Sequence, residues 1–151
     1  MIRPLKRVLF VCIGNACRSQ MAEAFARAYG QDVLIAASAG LHPAMRVAPD
    51  TMKAMQEKDM DLRDHFPKSI RQLGPKARFD VVVNMSGMPL PEGMEAAVES
   101  WYVPDPVSMK YDDHCAVRDK IEGMVMELVL ELRREQGPGK LRGQGSGPVE
   151  I

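Results

Sequence analysis

Three residues near the amino terminus, Cys12, Arg18 and Ser19, have the types and the spacing needed to process a tetrahedral oxyanion. A cysteine thiolate can attack the central atom of such an anion. An arginine guanidinium can bind two of its oxygens with parallel hydrogen bonds, and a serine hydroxyl can donate a hydrogen bond to the thiolate. The sequence therefore predicts covalent catalysis at sulfur, with Cys12 as the nucleophile and Arg18 and Ser19 as catalytic partners.

The stretch between Cys12 and Arg18 is predicted to bind the substrate through its backbone. A strand, a tight loop and a helix N-terminus place several N–H groups around one small volume, and such a nest attracts anions. The same field favours the thiolate form of a cysteine at the end of the strand. Asparagine also tolerates the left-handed conformation that a tight loop requires. The predicted substrate-binding residues are Ile13, Gly14, Asn15, Ala16 and Cys17.

The elements that must position this loop alternate along the chain. Apolar runs of strand length occupy 7–12, 32–40 and 79–86, and a fourth strand is predicted within 96–105. Helical spacing of apolar residues occurs over 18–30, 48–58, 67–74 and 114–135, and Gly30 is expected to end the first helix as a left-handed cap. This alternation predicts an α/β fold with a parallel sheet and a site at the carboxyl ends of the strands.

Length and composition restrict the classes of partner. The 151 residues suit one domain, predicted over 1–135, and the five glycines and two prolines of 136–151 predict a flexible tail. The 20 basic and 20 acidic residues give a formal net charge of zero, which argues against nucleic acid or an anionic membrane as a partner. An odd number of cysteines, three, is typical of a reducing, cytoplasmic compartment. No apolar run of membrane-spanning length is present, so no membrane span is expected.

The string FVCIGNACRSQMAEA, residues 10–24, resembles the low-molecular-weight protein tyrosine phosphatase family and its arsenate reductase relatives. The segments SAG at 38–40 and WYVPDP at 101–106 extend the resemblance over most of the first 135 residues. The resemblance implies a three-layer sandwich around a twisted four-stranded parallel sheet. It also implies a phosphocysteine intermediate and neither a metal nor any other cofactor.

The resemblance assigns roles to two further residues. In the family the aspartate of the Asp-Pro loop is the general acid, and Asp105 occupies that position. One carboxyl group can protonate the leaving group and then activate the attacking water. The family also implies that Cys17 could form a protective disulfide with Cys12, while simple packing of Cys17 is the alternative.

The main functional expectation is hydrolysis of phosphate monoesters, of the protein tyrosine phosphatase type, on a phosphorylated protein or a small phosphate. The alternative is reduction of arsenate by an external thiol system, because arsenate has the shape and charge of phosphate. Val107 and Ser108 stand where the phosphatases carry aromatic residues, and no cysteine occurs in 84–94 to support an internal thiol relay. A third interpretation, a non-catalytic phosphate-binding module, is disfavoured by the complete set of Cys12, Arg18 and Asp105.

Overall fold

The structure is a computed structural model that describes residues 4–74, 77–94 and 96–136. Four strands alternate with helices along these residues. The elements in chain order are β1 Lys6–Cys12, α1 Arg18–Tyr29, β2 Leu34–Gly40, α2 Pro49–Gln56, a 3-10 helix Ile70–Leu73, β3 Val81–Asn84, β4 Ala97–Ser100 and α3 Tyr111–Gln136.

The four strands form one parallel sheet in the order β2-β1-β3-β4. The strand β1 lies in the interior of the sheet, and its residues Val8 to Val11 are fully buried, as a continuous apolar run predicts. Cys12 pairs with Gly40 in the register, and Val11 pairs with Asn84. The carboxyl ends of three strands therefore meet around Cys12, and the predicted fold class is confirmed.

The sheet separates two apolar layers. One face packs against all three α-helices, around large buried side chains that include Phe10, Phe25, Met55 and Ile121. The other face presents Leu9, Val11, Ala39 and Val82 to the 3-10 helix and its neighbouring loops. Helices α1 and α3, which pack against each other, fix the direction in which the N-terminus of α1 points.

Two helix ends differ from the sequence predictions. Gly30 ends α1 with φ −118°, so the left-handed cap predicted there is wrong. The residue is a glycine because an added Cβ would lie 2.9 Å from Val129 Cγ2 and 3.0 Å from the Ala26 carbonyl. The helix predicted over 67–74 is a single 3-10 turn that begins with a capping box of Ser69 and Gln72.

Helix α3 ends the described part of the chain at Gln136. The flexible tail predicted over 136–151 lies, apart from Gln136, outside the described residues. Within the described ranges, no helix combines the length and the apolar character needed to cross a membrane.

Candidate active site

Cys12 is the last residue of β1, and Arg18 is the first residue of α1. The five residues between them make the complete strand-to-helix connection, so the loop closes directly onto the positive end of the α1 dipole. Cys12 is 2% exposed, and Asn15 within the loop is fully buried. Asn15 has φ 51°, the left-handed conformation expected of it.

The carbonyl groups of the loop are all bonded to groups outside it. Backbone amides of the segment 41–48 donate to four of them, and the Gln20 side chain donates to the Asn15 carbonyl at 3.1 Å. The backbone donors are Leu41, His42, Ala44 and Ala48, and the acceptors are Cys12, Ile13, Gly14 and Ala16, at 2.8–3.1 Å. Because the carbonyls are used in this way, the N–H groups are the backbone polar groups left to line the inside of the loop.

Gly40 lies directly beneath this loop, which explains the glycine of the SAG segment. A Cβ at position 40 would lie 2.7 Å from the Ile13 carbonyl oxygen and 2.9 Å from the Asn15 amide nitrogen. Both are backbone atoms that cannot move without distorting the loop.

We expect Gly40→Ala to weaken binding of phosphate or arsenate by about 10- to 100-fold, because misplaced amides lose hydrogen bonds to the anion. Isothermal titration calorimetry with inorganic phosphate measures the loss. Gly123→Ala is the matched control, because Gly123 lies in α3 with nothing within 4 Å of an added Cβ. Equal affinities for Gly40→Ala and the unaltered protein would contradict this account of the loop.

Hydrogen bonds of Cys12, Ser19 and Asn15 have a defined direction. Asn15 Nδ2 donates to Ser19 Oγ at 2.7 Å, and Ser19 Oγ lies 2.9 Å from Cys12 Sγ. Since the serine oxygen already accepts from Asn15, its hydroxyl hydrogen is free to point at the sulfur. Ser19 is therefore placed to donate to a Cys12 thiolate.

The side chain of Asn15 is held by further buried groups. Its Nδ2 also donates to Ser38 Oγ at 3.0 Å, and its Oδ1 accepts from the Lys68 amide at 3.0 Å. Ser38 in turn donates to Glu23 Oε1 at 2.5 Å. The amide of Asn15 thus cannot rotate without breaking several bonds, and the loop keeps one shape.

Arg18 is buried beneath the loop and anchored at one end of its guanidinium. Its Nη1 donates to the carbonyls of Met85 at 2.6 Å and Val103 at 3.0 Å. Among the described residues, Arg18 Nε is the buried side-chain nitrogen or oxygen that has no hydrogen-bond partner. Such an orphaned donor is costly unless a ligand accepts from it. The sequence predicts a tetrahedral oxyanion over this loop, and such an anion would supply that acceptor.

Asp105 lies at the edge of the same site. Its Oδ2 is 3.6 Å from Arg18 Nη2, and its side chain is 42% exposed. Its Oδ1 accepts from the amide of Val107 at 3.1 Å, which closes the turn around Pro106. The structure therefore brings together Cys12, Arg18, Ser19 and Asp105, although Asp105 is distant from the other three in sequence.

All three cysteines are free thiols. Cys17 precedes α1 and is 4% exposed. Burial raises the pKa of its thiol from 9.0 to about 11, and a hydrogen bond with Thr51 acts in the opposite direction. Cys115 lies in α3 and is partly buried. At neutral pH Cys17 is therefore a poor nucleophile unless its environment changes.

The aromatic side chains near Asp105 in the sequence are exposed or contact residues outside the Asp105 loop, as Trp101 contacts Phe10 with ring centroids 5.8 Å apart. Val107 and Tyr102 are exposed, at 65% and 81%. Tyr111 is engaged elsewhere, because its hydroxyl donates to Glu57 at 2.5 Å and Lys53 lies over its ring at 4.2 Å. Within the described residues, no group of three or more histidine, cysteine, aspartate or glutamate side chains could hold a metal ion.

Sequence reasoning missed two buried polar residues beside the site, Thr51 and His114. Their side chains form a hydrogen bond of 2.9 Å between Thr51 Oγ1 and His114 Nε2, across 63 residues of sequence. No local motif marks either residue. The signal available in the sequence was a histidine within the stripe of apolar residues on α3.

The chain is similar to a family of phosphatases and to arsenate reductases. The family model described as low molecular weight phosphotyrosine protein phosphatase matches residues 7–137. A glutaredoxin arsenate reductase of Synechocystis sp. is 30% identical over 85% of this chain and 99% of its own. Arsenate reductase 1 of Bacillus cereus is 37% identical over 77% of this chain and 88% of its own. A solved arsenate reductase in the phosphate binding state is 29% identical with a TM-score of 0.74, over 85% of this chain and 99% of that one.

Proposed function

The chain belongs to the low molecular weight phosphotyrosine protein phosphatase family, and on that premise we propose that it reduces arsenate with electrons from an external thiol. The observation that carries the proposal is the unpartnered, buried Arg18 Nε beside a loop whose carbonyls are all bonded elsewhere. These groups can bind the oxygens of a small anion, while Val107 and Ser108, rather than aromatic residues, follow Pro106. Two relatives with 30% and 37% identity bear the name arsenate reductase.

The first step forms a covalent adduct at Cys12. The thiolate attacks arsenic, and one arsenate oxygen departs as water after protonation. Asp105 donates a proton to this leaving oxygen, since hydroxide is a poor leaving group at neutral pH. Arg18 and the amides of the loop bind the remaining oxygens, and Ser19 stabilises the Cys12 thiolate before attack.

The next two steps transfer the electrons. An external thiolate attacks the Cys12 sulfur, the S–As bond breaks, and its electron pair remains on arsenic, which leaves as arsenite. Cys12 is now in a mixed disulfide with the external thiol. A second thiol attacks that disulfide and releases Cys12 as a thiolate. The sum is arsenate plus two thiols giving arsenite, one disulfide and water.

The position of the cysteines supports an external source of thiol. Cys17 is buried and has a pKa of about 11, so it supplies little thiolate at neutral pH. Cys115 lies on α3, and the segment 84–94 directly after β3 contains no cysteine. The name of the Synechocystis relative includes glutaredoxin, and a thiol carrier of this kind is the partner that we propose here.

Hydrolysis of phosphate monoesters is the second candidate. The observation that favours it is the position of Asp105, 3.6 Å from Arg18 and 42% exposed. From there the same carboxyl group can protonate an ester oxygen and later activate water without any thiol. Exposed apolar residues such as Val107 would give an aryl group little stacking, which is worth about 0.5–1.5 kcal/mol per aromatic pair.

We expect arsenate to be consumed when the purified protein is supplied with glutaredoxin and glutathione. Thioredoxin and glutathione alone are tested in parallel, and hydrolysis of p-nitrophenyl phosphate is measured without thiol. Asp105→Asn should lower arsenate turnover by about 100-fold, because the departing oxygen loses its proton donor. Efficient ester hydrolysis with no thiol-dependent loss of arsenate would overturn the proposal in favour of the second candidate.

A further inference from the structure

A buried polar chain connects the nucleophile loop to the Asp105 loop. His114 is 1% exposed, Thr51 is fully buried and Cys17 is 4% exposed. Thr51 Oγ1 lies 2.9 Å from His114 Nε2, and Thr51 also forms a side-chain hydrogen bond with Cys17. The His114 ring also interacts with the backbone of Pro106, the residue after Asp105, and this interaction acts to raise the pKa of the ring.

The chemistry of these groups determines which atom carries each hydrogen. Proline has no N–H, so Pro106 accepts through its carbonyl oxygen and the other ring nitrogen, Nδ1 of His114, must donate. In the neutral ring Nε2 is then an acceptor, and the Thr51 hydroxyl donates to it. The Thr51 hydroxyl and both ring nitrogens of His114 are then paired.

The ring must be neutral for this arrangement to hold. Burial lowers the pKa of His114 below its ordinary 6.5, and the charge of Arg118 lowers it further. Three groups act to raise this pKa: the carboxyl groups of Asp50 and Asp105 and the backbone of Pro106. Together with Arg118, these groups belong to α2, the Asp105 loop and α3, the elements packed around the ring. Burial of a polar ring is costly without such bonds, so an apolar side chain would serve simple packing better.

We propose that His114 is the positioning residue for the general acid, holding the Asp105 loop against the N-terminus of α1 through Pro106 on one side and Thr51 and Cys17 on the other. The proposal rests on the acid role of Asp105 in the proposed function. His114 contacts no substrate; it acts by keeping Asp105 near Arg18 and the Cys12 loop.

The Asp105 turn is also held by Arg18, which donates to the Val103 carbonyl and lies 3.6 Å from Asp105. Its other bonds are local: Val107 donates to Asp105 Oδ1 and Met109 donates to the Pro106 carbonyl. His114 adds an anchor on the side of the turn that faces α2 and α3.

A double-mutant cycle with Asp105 tests the proposal. His114→Phe fills the volume without either hydrogen bond, and we expect it to lower arsenate turnover, or hydrolysis of phenyl phosphate, by about 10- to 100-fold. In the Asp105→Asn background the same change should cost less than about twofold, because it acts through the missing acid. Hydrolysis of phenyl phosphate should slow more than hydrolysis of p-nitrophenyl phosphate, because the better leaving group of the latter needs less protonation. Equal losses in both backgrounds would overturn the proposal, since a purely structural defect is independent of the acid.

His114→Asn supplies the rescue, because its amide nitrogen can donate to Pro106 from a place near Nδ1. We expect it to restore most of the rate that His114→Phe loses. A second readout does not depend on turnover: hydrogen exchange of the Val107 amide, which is bonded to Asp105, should quicken by about tenfold in His114→Phe. Unchanged exchange would overturn the proposal even if both reactions proceed. If neither arsenate nor esters are turned over, the proposed function fails while the exchange measurement still decides whether His114 holds the loop.

Discussion

Cys12→Ser is expected to remove at least about 10⁴-fold of the turnover of arsenate, because a serine hydroxyl at neutral pH is a far weaker nucleophile than a thiolate and cannot form the mixed disulfide that returns the enzyme. The oxyanion cradle should survive the change. Its amides belong to the backbone, Arg18 is anchored on Met85 and Val103, and Asn15 still binds Ser19. Binding of inorganic phosphate should therefore stay within a few-fold.

Steady-state arsenate reduction and calorimetric phosphate binding measure the two properties separately. Cys115→Ser is the matched control, since it removes a partly buried thiol of α3 that interacts with Tyr111 and Arg118, and it should keep nearly full activity. Substantial turnover by Cys12→Ser would show that another group performs the chemistry. Loss of turnover together with loss of phosphate binding would indicate that Cys12 holds the loop together rather than reacting.

Arg18→Lys should lower turnover by about 100- to 1,000-fold, the usual cost of losing one well-placed donor to the developing anion. Arginine meets three demands here that lysine cannot meet together. Its Nη1 serves two carbonyls, its Nη2 lies near Asp105, and its Nε remains for the substrate. A lysine ammonium is a single centre without the planar fork.

The test of Arg18→Lys compares kcat and KM for arsenate with phosphate affinity. We expect KM to rise and kcat to fall, because the fork binds the anion in the ground state and in the transition state. Arg63→Lys is the control, an exposed arginine whose partner Asp61 is two residues away. A rate within a factor of a few of normal would mean that Arg18 serves the fold alone.

The local part of the site could be predicted from sequence because it needs no knowledge of tertiary structure. An apolar strand that ends at Cys12 and a helix that begins at Arg18 leave five residues between them, and that spacing alone determines which groups surround the anion. The same is true of the parallel sheet, since buried runs that alternate with helical patterns have few other solutions. The site roles of these residues stay predictions until variants are measured.

Contacts between distant segments could not be predicted in the same way. Gly40 is close to Asn15 only after β1 and β2 pair, and the clash that demands glycine there is a tertiary property. Gly30 has the same kind of cause, because Val129 of α3 fills the space beside it. The bond between Thr51 and His114 joins two helices whose sequences carry no shared pattern. The Asp105 loop was located by resemblance, whereas the buried pair of Thr51 and His114 was found in the structure.

Mass spectrometry can show whether Cys12 carries the oxidised intermediate of arsenate reduction. The protein is exposed to arsenate with glutathione in limited amount, quenched in acid and digested without reductant. We expect a glutathione mixed disulfide on the peptide that contains Cys12, and we expect it only when arsenate is present. Arsenite that accumulates while Cys12 stays unmodified, or the same disulfide formed equally without arsenate, would contradict the account.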